Sequence, residues 1–277
     1  MTTVQKIIKY IATAFALLLI FTIISGILTG GYAILSAVGL IHTDNKEIIT
    51  ENLKTISDGV TEVSKLEIDL ACTNLNIKIG DIFKVETNNS KIIFEQNNGS
   101  VKIKEEKQNW LNNNNKTSNL IIYIPEDMVQ IDETNIKTGA GKISIEKLNT
   151  KSLYLELGAG DVYLKNIIAA EEGKIDGGIG KAELQSCKIK NLKADLGVGE
   201  FNFTGVLTGK NEIDSGVGAI NINLMDSKDN YKIDVSKGIG NVTLDGQKIE
   251  EDRVYGTGDN HLKLNGGIGK IKINIEK

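Results

Sequence analysis

Four acidic residues recur at one place in a repeating pattern: Glu156, Asp176, Asp195 and Asp214 each stand two positions ahead of a Gly-x-Gly triplet. Side by side they would form a row of carboxylate oxygens, the donor type that suits Ca²⁺ or a cationic ligand. The same row also fits a solvated face, because charge runs are usually exposed surface. Just after the triplets stand Lys142, Asp161, Lys181 and Glu200, whose alternating signs predict a favourable lateral ladder. A second cluster, Arg253, Tyr255, Asp259 and His261, falls in the longest spacer between triplets. Long loops on rigid scaffolds often carry binding function, and a structural hairpin is the competing reading.

The glycines themselves invite a phosphate-binding reading, which their context rejects. A P-loop needs Gly-x4-Gly-Lys followed by Ser or Thr. Gly141-Lys142 and Gly180-Lys181 lack the upstream glycine and the hydroxyl. A dinucleotide fold uses one glycine loop opening a helix, whereas here many triplets each open a strand-like run. The calcium nonapeptide motif needs a nine-residue period, which is absent. The histidines are His42 and His261, and neither can be set beside a nucleophile with an orienting acid. The expectation is a non-enzyme with no cofactor and no metal site.

The elements that must carry these residues follow from the repeat. Gly-x-Gly occurs at 139–141, 158–160, 178–180, 197–199, 216–218, 238–240 and 267–269, mostly 19–20 residues apart. Four apolar columns accompany it: three residues before the first glycine (Ile136, Leu155, Ile175 onward), the middle of the triplet (Ala140, Ala159, Ile179 onward), and two and four residues after the second glycine. Polar residues lie between, giving period-2 alternation on both sides of each triplet. The predicted fold is all-β: a parallel β-solenoid, right-handed and β-helix-like, with about 19–20 residues per coil. Successive coils should stack about 4.8 Å apart, with all four columns as inward ladders. Cys187 would share an inward column with Leu148, Ile167, Val206 and Met225. Two cysteines make no disulfide framework.

Ahead of the repeat, SKLEIDLA, NLNIKI, FKVET, KIIFEQ, SVKIKE and LIIYIP also read as strands. NWLNNNNKTSN reads as an exposed loop from which Trp110 packs back. One continuous β-domain is therefore expected over 63–277.

The first 42 residues differ in kind. Lys6 and Lys9 precede a run without charge from Tyr10 to Thr43, longer than the roughly 20 apolar residues a bilayer span requires. One uncleaved transmembrane helix of about Ile8 to Leu28 is expected. The positive-inside rule puts the N-terminus in the cytoplasm and the β-domain outside. Residues 43–62 are assigned as a linker, with a short amphipathic helix through Ile48, Ile49, Leu53 and Ile56 as the alternative. The formal net charge is −4, and both early lysines lie before the apolar run. The β-domain is thus acidic, which argues against nucleic acid and anionic lipid as partners.

IDLACTNLNIKIGDIFKVE, LIIYIPED, LELGAGDVYLKNI, SGVGAININ and NGGIGKIKI, in that order, resemble the bacterial "putative adhesin" family over roughly 63–277. The resemblance implies an N-terminal anchor and an extracytoplasmic β-solenoid, and no catalytic residues. Some relatives occur beside envelope-stress signalling systems. The function expected is a membrane-anchored surface binding or scaffolding module. The alternative is an accessory component of envelope-stress sensing that contacts a membrane partner. The partners expected are the cytoplasmic membrane, through the N-terminal helix, and a cell-envelope protein or surface ligand.

Overall fold

The structure, a computed structural model, describes residues 52–106, 118–128, 131–250 and 253–276. The expected transmembrane helix and the tract around Trp110 lie outside these residues. Among the described residues no helix is long and apolar enough to cross a membrane. All of them belong to one compact unit, Glu47–Lys277.

That unit is all-β. The strands before the repeat are β1 (Lys54–Val60), β2 (Lys65–Leu70), β3 (Asn74–Gly80), β4 (Phe83–Thr87), β5 (Ile92–Asn97), β6 (Ser100–Glu105) and β7 (Asn119–Pro125). The repeat supplies β8 (Ile131–Ala140), β9 (Ile143–Ile145), β10 (Leu148–Ala159), β11 (Val162–Lys165), β12 (Ile167–Lys190), β13 (Leu192–Thr208), β14 (Lys210–Leu224) and β15 (Tyr231–Leu244). Two short strands, β16 (Gln247–Lys248) and β17 (Val254–Tyr255), precede β18 (Asn260–Ile275). The expected linker is shorter than assigned, because β1 forms within it and pairs antiparallel with β4.

The coils stack in parallel, but not in chain order. β8–β9, β10–β11, β12, β13 and β14 follow one another. β18 then lies between β14 and β15, so the last coil of the chain is the second-to-last of the stack. The other end mirrors this arrangement. β2 and β3 form a coil with no glycine triplet, turning at Ala71-Cys72-Thr73, and it sits between β8–β9 and β6–β7. Antiparallel strands close each end: β4 and β5 lie on β7 and β6, and β16 and β17 lie on β15. Such covers blunt the edge of a sheet that would otherwise recruit another chain.

Each coil bends where alternation breaks. Lys165-Asn166, Gln185-Ser186 and Lys190-Asn191 are consecutive exposed residues amid in-out patterning. Asn166, Ser186 and Asn191 have φ of 52°, 53° and 52°, in the left-handed region that Asn tolerates best. The glycine triplet makes a further bend. Its second glycine is obligatory by packing as well as by angle. A Cβ on Gly218, at φ 147°, would lie 1.6 Å from the Gly199 carbonyl oxygen in the coil beside it.

Three of the four apolar columns are inward as expected. Leu155, Val162 and Leu164, with their counterparts in every repeat coil, are buried in one continuous core. The fourth is not. Ala140, Ala159, Ile179, Val198 and Val217 are only partly buried, while Ile268 and Ile239 are 41 % and 62 % exposed. The triplet turns the chain, so its middle side chain leaves the corner outward. The Cys187 column also ends sooner than expected. A bulge between Gln185 and Cys187 sets Cys187 opposite Gly205, Val206 turns outward, and Met225 is exposed. Cys187 itself is buried, and burial pushes its thiol up to about 11.

Candidate functional site

The acidic residues meet as their spacing requires. Glu156 pairs in register with Asp176, Asp176 with Asp195, and Asp195 with Asp214. On the β8 side the row alternates in sign through Lys137, Asp69 and Lys104. On the β14 side it becomes neutral, at Asn265 and then Ser236. Lys137 reaches Glu156 at 2.8 Å and Lys174 reaches Asp176 at 2.7 Å. Asp214 accepts a hydrogen bond from the Asn265 amide. Asp195 has an acid in register on either side and no ion pair among the described residues, though the Lys174 ammonium of the next coil is drawn to its charge. Hydrogen bonding to Asp176 holds the Lys174 ammonium above its usual range, and Glu156 does the same for Lys137. Among the described residues no group of three or more His, Cys, Asp or Glu side chains is placed to hold a metal ion.

The predicted lateral ladder of Lys142, Asp161, Lys181 and Glu200 forms in part: Lys181 stands in register with Glu200 and is drawn to its charge, without an ion pair between them. Asp161 reaches to the next coil, where it accepts the backbone N–H of Lys181 at 3.0 Å. Lys181 instead bridges to Glu183 on its own strand at 2.7 Å, and Lys142 lies 4.6 Å from the centre of the Tyr163 ring. A carboxylate at a tight corner finds a backbone donor nearer than the next coil's ammonium.

Arg253, Tyr255, Asp259 and His261 are not gathered into one site. Tyr255 pairs with Ile233 in the cover over β15, and its hydroxyl accepts from Glu250 N–H at 2.9 Å and donates to the Glu250 carbonyl at 3.1 Å. Arg253 stacks on Tyr255 and pairs weakly with Glu250, at 3.7 Å. Asp259 is exposed beyond that cover. His261 lies within β18, between Lys210 and Lys232, and its Nε2 is buried without a partner. Arg253 and Tyr255 thus belong to the cover over β15, and His261 to the parallel stack.

Hollows flank the glycine corners. The residue just ahead of each first glycine varies in size: Leu157, Gly177, Leu196, Ser215, Gly266 and Lys237. An open hollow of about 430 Å³ lies beside the acidic row, walled by Asp195, Asp214, Ser236, Asn265 and Lys237. Two narrow clefts hold the corner column instead: one is walled by Ile179 and Val198 with the core residues Val162 and Ala182, the other by Ile268 with Ile220 and Ile271. Sequence reasoning took the corner column as core and so missed the exposure of Ile239 and Ile268.

Parallel coils with glycine corners, closed at both ends by antiparallel strands, define a β-solenoid-type protein. A family model, Toastrack DUF4097, matches residues 63–269. The chain belongs to the Toastrack DUF4097 family, in agreement with the resemblance read from its ordered motifs. No curated protein matches it. Among solved structures it is similar to a "putative cell adhesion protein" from Clostridium sporogenes ATCC 15579, at 20% identity and TM-score 0.38, covering 81% of this chain and 98% of that one. It is also similar to a "putative adhesin" from Bacteroides fragilis NCTC 9343, at 15% identity and TM-score 0.32, with the same coverage. Scores this low carry no argument about the present chain.

Proposed function

We propose that the chain is a non-enzymatic, membrane-anchored β-solenoid that acts outside the cytoplasmic membrane as a surface binding or scaffolding module. The observation that carries this reading is the outward row of Glu156, Asp176, Asp195 and Asp214, in register on successive coils. It is built on stacked strands whose backbones are tied on both sides, so its side chains are held at fixed spacing. Rigid presentation of side chains suits recognition. The N-terminal apolar run supports anchoring, and the acidity of the β-domain disfavours anionic surfaces.

The test compares retention of the chain on intact cells, on cell-wall fragments and on isolated membranes, with protease accessibility reporting which side of the membrane holds the β-domain. Retention on cells or wall with an accessible domain supports the reading, and cleavage of a glycan by the purified chain overturns it. The alternative, an accessory component of envelope-stress sensing, is favoured by the exposed Ile239 and Ile268, apolar surface that suits a protein segment better than a uniformly polar polymer. Recovery of one membrane protein in place of wall material would select it.

A further inference from the structure

We infer that the outward face of β3, β9, β11 and β12 holds a binding site for one neutral pyranose unit of a glycan. This rests on the binding-module reading above and names a ligand chemistry for it. An open hollow of about 290 Å³ lies on that face. Its first row, in register on neighbouring strands, is Asn76, Ser144, Tyr163 and Glu183. Its second row, two residues further along each strand, is Lys78, Glu146, Lys165 and Gln185. The polar groups here are left open. The Asn76 side chain is only 8 % exposed, lines the hollow, and makes no hydrogen bond among the described residues. Buried amides are ordinarily paired, so this one points to a partner that arrives from outside. The Ser144 and Tyr163 hydroxyls and the Lys78 and Lys165 ammoniums also make no hydrogen bond or ion pair among the described residues. Further along the same face the pattern reverses. Asn221 donates to Asn202 at 2.7 Å and Asn274 to Asn223 at 2.7 Å, so those rows satisfy themselves.

The mixture of groups selects the ligand. A phosphate or carboxylate would meet the like charges of Glu146 and Glu183, and a polyamine those of Lys78 and Lys165. A hydroxyl both donates and accepts, so it can pair with every one of these groups. Lys181 and Gln185 hold Glu183 in place as an acceptor. The aromatic wall is the Tyr163 ring. Lys142 covers one face of that ring, 4.6 Å from its centre, but is not a wall of the hollow, so the hollow meets the ring elsewhere. A pyranose has apolar C–H faces and a rim of hydroxyls. It thus matches an aromatic side chain, apolar in body and polar at its tip, set among amides, hydroxyls and charges of both signs. The volume lies near the lower end of small-molecule pockets, roughly 300 Å³. An open hollow of that size suits one unit of a longer chain whose neighbours stay in solvent.

The experiment titrates purified full-length chain, in a polyoxyethylene detergent that carries no sugar, with maltotriose, cellotriose and the trimer of N-acetylglucosamine. Saturation-transfer NMR reads binding, with empty micelles as background. Saturable binding of at least one trisaccharide is expected, and neither sodium triphosphate nor spermidine should compete with it. Tyr163→Ala should weaken the binding about tenfold. Ser144→Ala with Lys165→Met should weaken it about fivefold. Asn221→Ala with Asn274→Ala, amides on the same face outside the hollow, should leave it unchanged. No binding of any trisaccharide, competition by either ion, indifference to both hollow variants, or equal weakening by the off-hollow variant would each overturn the inference. Ser144 and Lys165 lie outside the core, so the test stands even if the tyrosine variant fails to fold. Because the purified chain is used, failure here leaves the cell-retention result intact, and failure there leaves this one intact.

Discussion

Val217 lies in register with Ile268, and Ile268 lies in register with Ile239 on its other side, although Ile239 comes earlier in the chain. The sixth glycine coil therefore has no neighbour until the seventh has folded in beside it. Its remaining pairings are the short ones to β16 and β17. A chain ending at residue 259 should lose hydrogen-exchange protection across residues 231–244 as well as lacking β18, while β13 stays protected. If 231–244 remained protected by docking directly on β14, the stacking order described here would be wrong.

The second glycine of every triplet after the first should be intolerant of any side chain. A Cβ at Gly199 would lie 1.7 Å from the Gly180 carbonyl oxygen. Gly199→Ala should cost at least about 3 kcal/mol, since neither backbone can yield without unstacking a coil. Gly246 also has positive φ, 77°, but a Cβ there meets nothing within 4 Å. Gly246→Ala should cost about 1 kcal/mol. Equal losses in denaturant melts would mean that angle alone, and not approach, sets the requirement.

Neutralising Asp195 should stabilise the fold. It has Asp176 and Asp214 beside it in register, and like charges directly across a strand pair oppose pairing. Asp195→Asn should add about 0.5 kcal/mol at low salt, and the gain should fade as salt screens the row. A gain that persisted unchanged in 1 M salt would point away from charge repulsion.

Acid and base should weaken the stack at opposite extremes. Glu212 is held below its ordinary value of 4.5 chiefly by its hydrogen bond with Lys263, against the opposing effect of burial. Glu67 is lowered in the same way by Lys102. What these carboxylates contribute is present above pH 4.5 and lost as pH falls through their lower folded values. Lys102 and Lys263 are raised above 10.5 by the same hydrogen bonds, so their contribution is present below that value and lost as pH rises through their folded values. Melting temperature should be nearly flat between about pH 5 and 10 and fall outside that window. A narrow optimum inside it would contradict these assignments.

The two thiols should react in sequence. Cys72 is exposed at the corner of the β2–β3 coil, and partial burial with the nearby Glu105 charge raises it modestly. Cys187 is buried and pushed to about 11. One equivalent of an alkylating reagent should label Cys72 in the folded chain at mildly alkaline pH, with Cys187 following only on unfolding. Simultaneous labelling would show that the coil around Ser186 opens readily.

Much of the fold was legible because the core obeys strict alternation. The columns through Leu155, Val162 and Leu164 follow from period two alone. The reading failed where the chain bends. Ile179 and Val198 keep the alternation through the triplet, yet the bend turns them outward. Val206 keeps its count from the glycine, but the bulge at Ser186 in the neighbouring coil changes its partner. The β2–β3 coil was hidden because Ala71-Cys72-Thr73 replaces the glycine triplet, although Ile68, Leu75 and Ile77 align with Ile136, Ile143 and Ile145 through their strand pairs. Stacking order was illegible for a different reason: every coil carries the same columns, so residue type does not say which coil neighbours which.

The place of β18 also decides how the molecule bears load. Glu276 N–H is bonded to the Leu224 carbonyl at 3.0 Å, and Ile275 N–H to the Asp245 carboxylate at 2.9 Å, so the end of β18 is gripped from both flanks. A strand at a free edge would unzip one hydrogen bond at a time under tension. Here a pull on β18 must slide it between two neighbours and shear both ladders together.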